Sequence, residues 1–86
     1  MSALRVRFGR VIRRRRHACG MTQEQLADRA FLHRNHVSLL ERGRVAVVLD
    51  TVEQLAAALG VSVGVLFAEV DADVSDADLP DLASER

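Results

Sequence analysis

The sequence predicts an all-α domain of five short helices, and three observations carry that prediction. The chain is 49% hydrophobic but holds only three Phe, no Trp and no Tyr, so its core must be aliphatic. Pro occurs once, so little in the chain forbids a helix. Gly20, Gly43 and Gly60 each follow an apolar stripe of helical period, where a left-handed residue closes a helix. Eighty-six residues make one small domain, near the lower end of what a single core supports.

Residues 1–5 are expected to be a frayed arm. A first helix is predicted over about Val6–Cys19, with Phe8, Val11, Ile12 and Cys19 on its stripe. The second has the clearest start signal. Thr22 is a good N-cap, and Gln25 three residues later completes a capping box. Met21 and Leu26 are placed as the hydrophobic staple around that cap. Leu26 and Ala30 form the apolar face, Ala27 lets a neighbour approach closely, and the helix should end near Arg29.

A third helix is predicted from Arg34 to Arg42, with His33 near its cap and Val37 and Leu40 facing inward. Arg34, Asn35, Ser38 and Leu39 then fall on its outer side. A fourth should cover Asp50–Leu59, with Asp50 and Glu53 as a possible capping box and Val52, Leu55, Ala56 and Leu59 as its stripe. A fifth should start near Ser62 and reach Glu69, with Val63, Leu66 and Phe67 apolar. The domain is therefore placed at residues 6–70. Residues 71–86 are acidic and poor in hydrophobic residues, and are expected to be a disordered tail.

The formal net charge of zero conceals a strong asymmetry. Residues 1–48 hold eleven Arg and three acids, whereas residues 49–86 hold nine acids and only Arg86. A basic half and an acidic tail of this kind suggest that nucleic acid meets the first half. Cys19 is the single cysteine, so no disulfide framework is expected. No signal peptide and no run of about 18 apolar residues are visible, which points to a cytoplasmic protein without a membrane partner. His17, Cys19, His33 and His36 do not have zinc-site spacing, so no metal or cofactor is expected. Nor is there a nucleophile–base–orienter set, so enzyme activity is not expected.

The stretch from Gly20 to Gly43 reads as two short helices joined by a tight turn, with a polar outer face on the second. Around it stand Phe8-Gly9, Ile12-Arg13, Arg16, TQEQLA at 22–27, HRNHVS at 33–38, ERG at 41–43 and LDTVEQLAAALGVSVGVLF at 49–67. In this order and spacing the chain resembles the lambda-repressor-like (Cro/CI, XRE-type) helix-turn-helix proteins of bacteria and phages. The resemblance spans residues 8–67. The HRN-containing helix is also similar to that of restriction–modification controller proteins.

The resemblance implies five helices, DNA binding as a symmetric dimer, and transcriptional control, most simply repression. Its base-reading positions fall on Arg34, Asn35, Ser38 and Leu39. Its phosphate-bracing glutamine maps onto Gln23, and the residue after its ERG motif points at Arg44. A buried ion pair between the first helix and the end of the third would join Arg16 to Glu41.

The sequence departs from the pattern in three places. Phe31 replaces the glycine usual in the turn, and a positive φ there would cost on the order of 1 kcal/mol. Val47-Val48 replaces the usual Pro-Ser before the fourth helix, leaving Asp50 as the candidate cap. Arg15 stands where an apolar residue is common.

Side-chain chemistry agrees with these positions while leaving alternatives open. The Arg34 fork matches the two acceptors on guanine, or it clamps a phosphate. Asn35 suits adenine, a phosphate or a cap. Ser38 is an adaptable donor, and Leu39 suits a thymine methyl or plain half-exposure. Thr22 and Gln23 open the second helix, where N–H groups attract anions, the lesser alternative for Gln23 being a solvated glutamine. His33, His36 and Arg13 are further phosphate candidates. Arg10 and Arg14 are expected to supply only a long-range field.

For the dimer surface the expectation is the fifth helix and the exposed run Val45–Leu49, represented by Val47, Val63, Leu66 and Phe67. Two other classes of function remain. The chain could act as an antitoxin-like module that grips a protein partner through its acidic tail. Alternatively, the tail could shield the basic half as an internal DNA mimic.

Overall fold

The computed structural model describes residues 3–73, which form five helices and no strand. They are α1 (Ala3–Ala18), α2 (Gln23–Ala30), α3 (Arg34–Glu41), α4 (Leu49–Leu59) and α5 (Val63–Ala72). α1 packs on α3 and α5, α2 packs on α3 and α4, and α4 meets α5. One aliphatic core unites them. Val11, Ile12, Leu26, Val37, Leu55, Leu66 and Val70 have no solvent exposure. Phe8 on α1 lies 6.1 Å from Phe67 on α5, ring centre to ring centre, and ties the first helix to the last.

The start of α2 follows its sequence signal. Thr22 Oγ1 accepts from the Gln25 N–H, and Gln25 Oε1 accepts from the Thr22 N–H. This reciprocal pair satisfies two donors that a helix start would otherwise leave open. Ser62 caps α5 by a single bond, accepting from the Val65 N–H.

Several expectations are corrected. α1 begins at Ala3, so the arm expected over residues 1–5 is helical from residue 3. α5 continues to Ala72 and Asp73 caps its end, so the body of the domain extends past residue 70. Residues 74–86, most of the expected tail, lie outside the described residues. The Asp50–Glu53 capping box does not form. Val48 occupies the N-cap with no side-chain bond, and Asp50 sits in the first turn. There its carboxylate faces the positive end of the helix dipole, a weaker substitute for a cap.

Gly9 needs a residue without a Cβ, whereas Phe31 stands where a Cβ is tolerated at a cost. At Gly9 a Cβ would lie 2.4 Å from the Leu40 carbonyl oxygen, so α1 and α3 touch backbone to backbone. Phe31 keeps a left-handed conformation, with φ 58°, and its N–H closes α2. The positive φ is therefore kept despite the missing glycine. The phenyl ring instead stands in solvent at 84% exposure.

Candidate nucleic-acid interface

The turn at Phe31 and Leu32 sets α3 across α2, and α3 presents its outer face to solvent. Arg34, Asn35 and Leu39 are exposed, while Ser38 is half-buried. Val37 and Leu40, on the opposite face of α3, are fully buried. The periodicity of one short helix thus separates a core stripe from a polar surface.

His33 caps α3. Its Nδ1 accepts from the Asn35 N–H at 3.1 Å. That bond requires an unprotonated Nδ1, so the neutral ring carries its proton on Nε2. His33 is thus a cap with an outward donor rather than a phosphate contact alone. The Asn35 side chain takes no part in the cap, which removes one of its three alternatives. His36 is half-buried on α3.

The starts of α2 and α3 converge. Arg16, Thr22, Gln23, Glu24 and Arg34 line one open recess of about 550 Å³. An expected base reader and two expected phosphate contacts therefore border the same space. The capping box occupies the Gln25 N–H, leaving the Gln23 and Glu24 N–H groups at the mouth of the α2 dipole. Such a helix start attracts an anion.

Behind the recess lies the buried pair. Arg16 Nε donates to Glu41 Oε2 at 2.6 Å and Nη2 donates to Oε1 at 3.0 Å. Arg16 Nη1 donates to the Met21 carbonyl at 3.0 Å. The side chains are 9% and 2% exposed, so each charge depends on the other. Removing one partner leaves a buried charge uncompensated, at about 3–5 kcal/mol.

Other arginines take places that the sequence reading did not foresee. The Arg13 and Arg44 side chains are exposed and make no hydrogen bond to the described residues. Arg42, not among the candidates, folds back over one turn of α3. Its Nε donates to the Ser38 carbonyl and its Nη2 to Ser38 Oγ, both at 3.3 Å. The i,i+4 spacing of Ser38 and Arg42 was the available signal. Arg10 and Arg14 are not merely sources of field: both bond Asp73, at 2.8 and 2.6 Å. Arg15, which stands where an apolar residue is common, pairs with Glu69.

The expected dimer residues divide. Leu66 has no exposure and belongs to the core, so it cannot meet a second copy. Phe67 and Val47 are half-buried, and Val63 is 37% exposed. Beside them an apolar groove runs between Leu4, Phe8, Val47, Leu49, Val52 and Phe67. Leu49 on its rim is 79% exposed, and Val48 before it in the chain is 64% exposed. Among the described residues no group of three or more His, Cys, Asp or Glu is gathered as a metal site. No single helix there is long and apolar enough to cross a membrane.

Residues 7–70 match the helix-turn-helix domain family. The chain is 42% identical over 59 residues to the control protein C.BamHI of Bacillus amyloliquefaciens, covering 67% of this chain and 73% of that protein. Its fold is similar to that of the restriction–modification controller protein C.Esp1396I, solved as a tetramer with its natural 35-base-pair operator. That match has a TM-score of 0.80 at 32% identity and covers 85% of this chain and 96% of that one. The clp gene regulator ClgR of Corynebacterium glutamicum superimposes with a TM-score of 0.80 at 31% identity, over 95% of this chain and 88% of its own. The chain belongs to the lambda-repressor-like (XRE-type) helix-turn-helix family of DNA-binding regulators, close to its restriction–modification controller proteins, and is not an enzyme.

Proposed function

We propose that the protein is a sequence-specific transcriptional regulator that binds a two-fold operator as a dimer and acts as a repressor. The observation that carries this reading is the shared recess. It sets Arg34, at the start of an exposed helix, beside the anion-attracting start of α2. A phosphate at Thr22 and Gln23 would fix the register, and α3 would then enter the major groove.

In this reading Arg34 pairs with guanine and Asn35 with adenine, while Ser38 and Leu39 meet neighbouring base edges. Arg13, His36, Arg44 and the outward N–H of His33 meet flanking phosphates, alongside Thr22 and Gln23. The groove beside Val47, Val63 and Phe67 would be covered by a second copy. A dimer of this kind spaces its two recognition helices by about 34 Å, one turn of DNA. The operator-bound tetramer of C.Esp1396I supports this reading for a relative of the same fold.

The test is selection of bound sites from a randomised duplex library by the full-length protein. A palindrome with half-sites ~10 bp apart is expected. Arg34→Ala should erase a guanine preference worth ~1–3 kcal/mol at one position of each half-site. Recovery of no motif, with only weak and strongly salt-sensitive binding, would exclude sequence reading by this chain alone.

A further inference from the structure

Gln23 is not a free side chain awaiting a phosphate. Its Nε2 donates to Glu41 Oε1 at 3.0 Å, the same oxygen that accepts from Arg16 Nη2. Glu41 ends α3, Arg16 lies on α1 and Gln23 opens α2, so three helices meet at one carboxylate. Arg16 also holds the Met21 carbonyl, one residue before the α2 cap.

We infer that Glu41, itself held by Arg16, is a positioning residue that fixes which way the Gln23 amide faces. The inference rests on the DNA-binding reading above. An amide group has two near-isosteric ends, one a pure acceptor and the other carrying two donors. An ionised carboxylate accepts only, so Glu41 permits the NH₂ end alone to face it. One Nε2 proton goes to Glu41, and the second remains for a phosphate oxygen in the recess. Without the carboxylate the amide turns freely, and its carbonyl oxygen can face the phosphate and repel it. Because Glu41 has 2% exposure, water does not screen this control. The pair therefore does more than join α1 to α3: it presets the phosphate clamp before DNA arrives.

A double-mutant cycle on the selected operator tests this, with affinity read by fluorescence anisotropy at fixed salt. The paired change Arg16→Met with Glu41→Leu removes both buried charges together. Such apolar replacements commonly preserve a fold, which helical circular dichroism would verify. Gln23→Ala removes the clamp itself. Each variant should weaken binding about tenfold, the scale of one charge-assisted hydrogen bond. Combined, they should lose no more than Gln23→Ala alone, because the pair acts through Gln23.

If the losses multiply instead, Arg16 and Glu41 support the fold only and the inference is overturned. Full affinity in the paired variant would overturn it as well. Glu41→Gln gives a second arm, since it keeps the side-chain shape but offers the Gln23 amide either a donor or an acceptor. It should weaken wild-type binding severalfold and leave the affinity of the Gln23→Ala protein unchanged. An unmodified protein that selects no operator would end the DNA-binding reading itself, and this inference with it.

Discussion

Arg15 on α1 and Glu69 on α5 face each other through both arms of their side chains, with Arg15 Nε donating to Glu69 Oε1 at 3.0 Å. One turn on, Asp73 accepts from Arg10 and Arg14. The end of α5 is thus fastened to α1 by charge. The Arg15 hydrogen bond holds the Glu69 carboxyl below its ordinary value of 4.5. Burial works to raise Asp73, but the hydrogen bonds from Arg14 and Arg10 outweigh it and hold that carboxyl below 3.8. Carboxylates lowered in the folded state contribute stability that is present above the unfolded value and lost as pH falls through the folded one. The melting temperature should therefore drop as pH is taken below these two values. Glu69→Gln with Asp73→Asn should flatten that part of the profile. An acid limb as steep in the double variant as in the wild type would assign acid sensitivity to other groups.

Phe31 holds a left-handed backbone without a contact that repays it, since φ is 58° and the side chain is 84% exposed. Glycine adopts this conformation without the Cβ clash but loses more chain entropy on folding. The balance favours Phe31→Gly by about 0.5–1 kcal/mol. Urea unfolding would measure it. A destabilised glycine variant would mean that the ring packs on something that the described residues do not include.

The opposite result is expected at Gly9. A Cβ there meets the carbonyl oxygens of Leu40 and Glu41 at 2.4 and 2.6 Å, and backbone cannot step aside as a flexible side chain can. Gly9→Ala should cost about 1–3 kcal/mol, as overpacking of a close contact does. It should also disturb Glu41 and hence DNA affinity. An alanine variant with wild-type stability would show that the α1–α3 approach is looser than these distances state.

These sites mark what the sequence disclosed. Caps and stripes are local, so Thr22 with Gln25, Val37 with Leu40 and the closing glycines could be read from spacing alone. The Arg16–Glu41 pair came from family resemblance, because nothing local relates residues 25 apart. The roles of Arg10, Arg14 and Arg15 were missed for the same reason. Their acidic partners lie 54 to 63 residues away, on a helix judged to stop before Asp73. Leu66 was misplaced because α5 is apolar on nearly every face, so its periodicity does not separate core from surface.

His33 offers a clean separation of fold from recognition. Its Nδ1 is the side-chain cap at the start of α3, so His33→Ala should cost about 1 kcal/mol. Asn accepts from the same backbone position, so His33→Asn should restore most of that stability. If the Nε2–H meets a phosphate, DNA affinity should fall in both variants although only the first is less stable. Recovery of affinity together with stability in His33→Asn would leave His33 as a cap and nothing more.

The apolar groove makes the last prediction, on assembly. Leu49 is 79% exposed on its rim and opens α4 directly after a cap with no side-chain bond. An acid at that position favours the helix dipole, so Leu49→Glu should leave the fold intact while placing a charge in the proposed interface. Sedimentation should show the wild type as a dimer and the variant as a monomer at the same concentration. Operator affinity should fall at least about tenfold, because two half-sites would no longer be engaged by one linked molecule. A variant that remains dimeric would move the interface away from α4 and the groove.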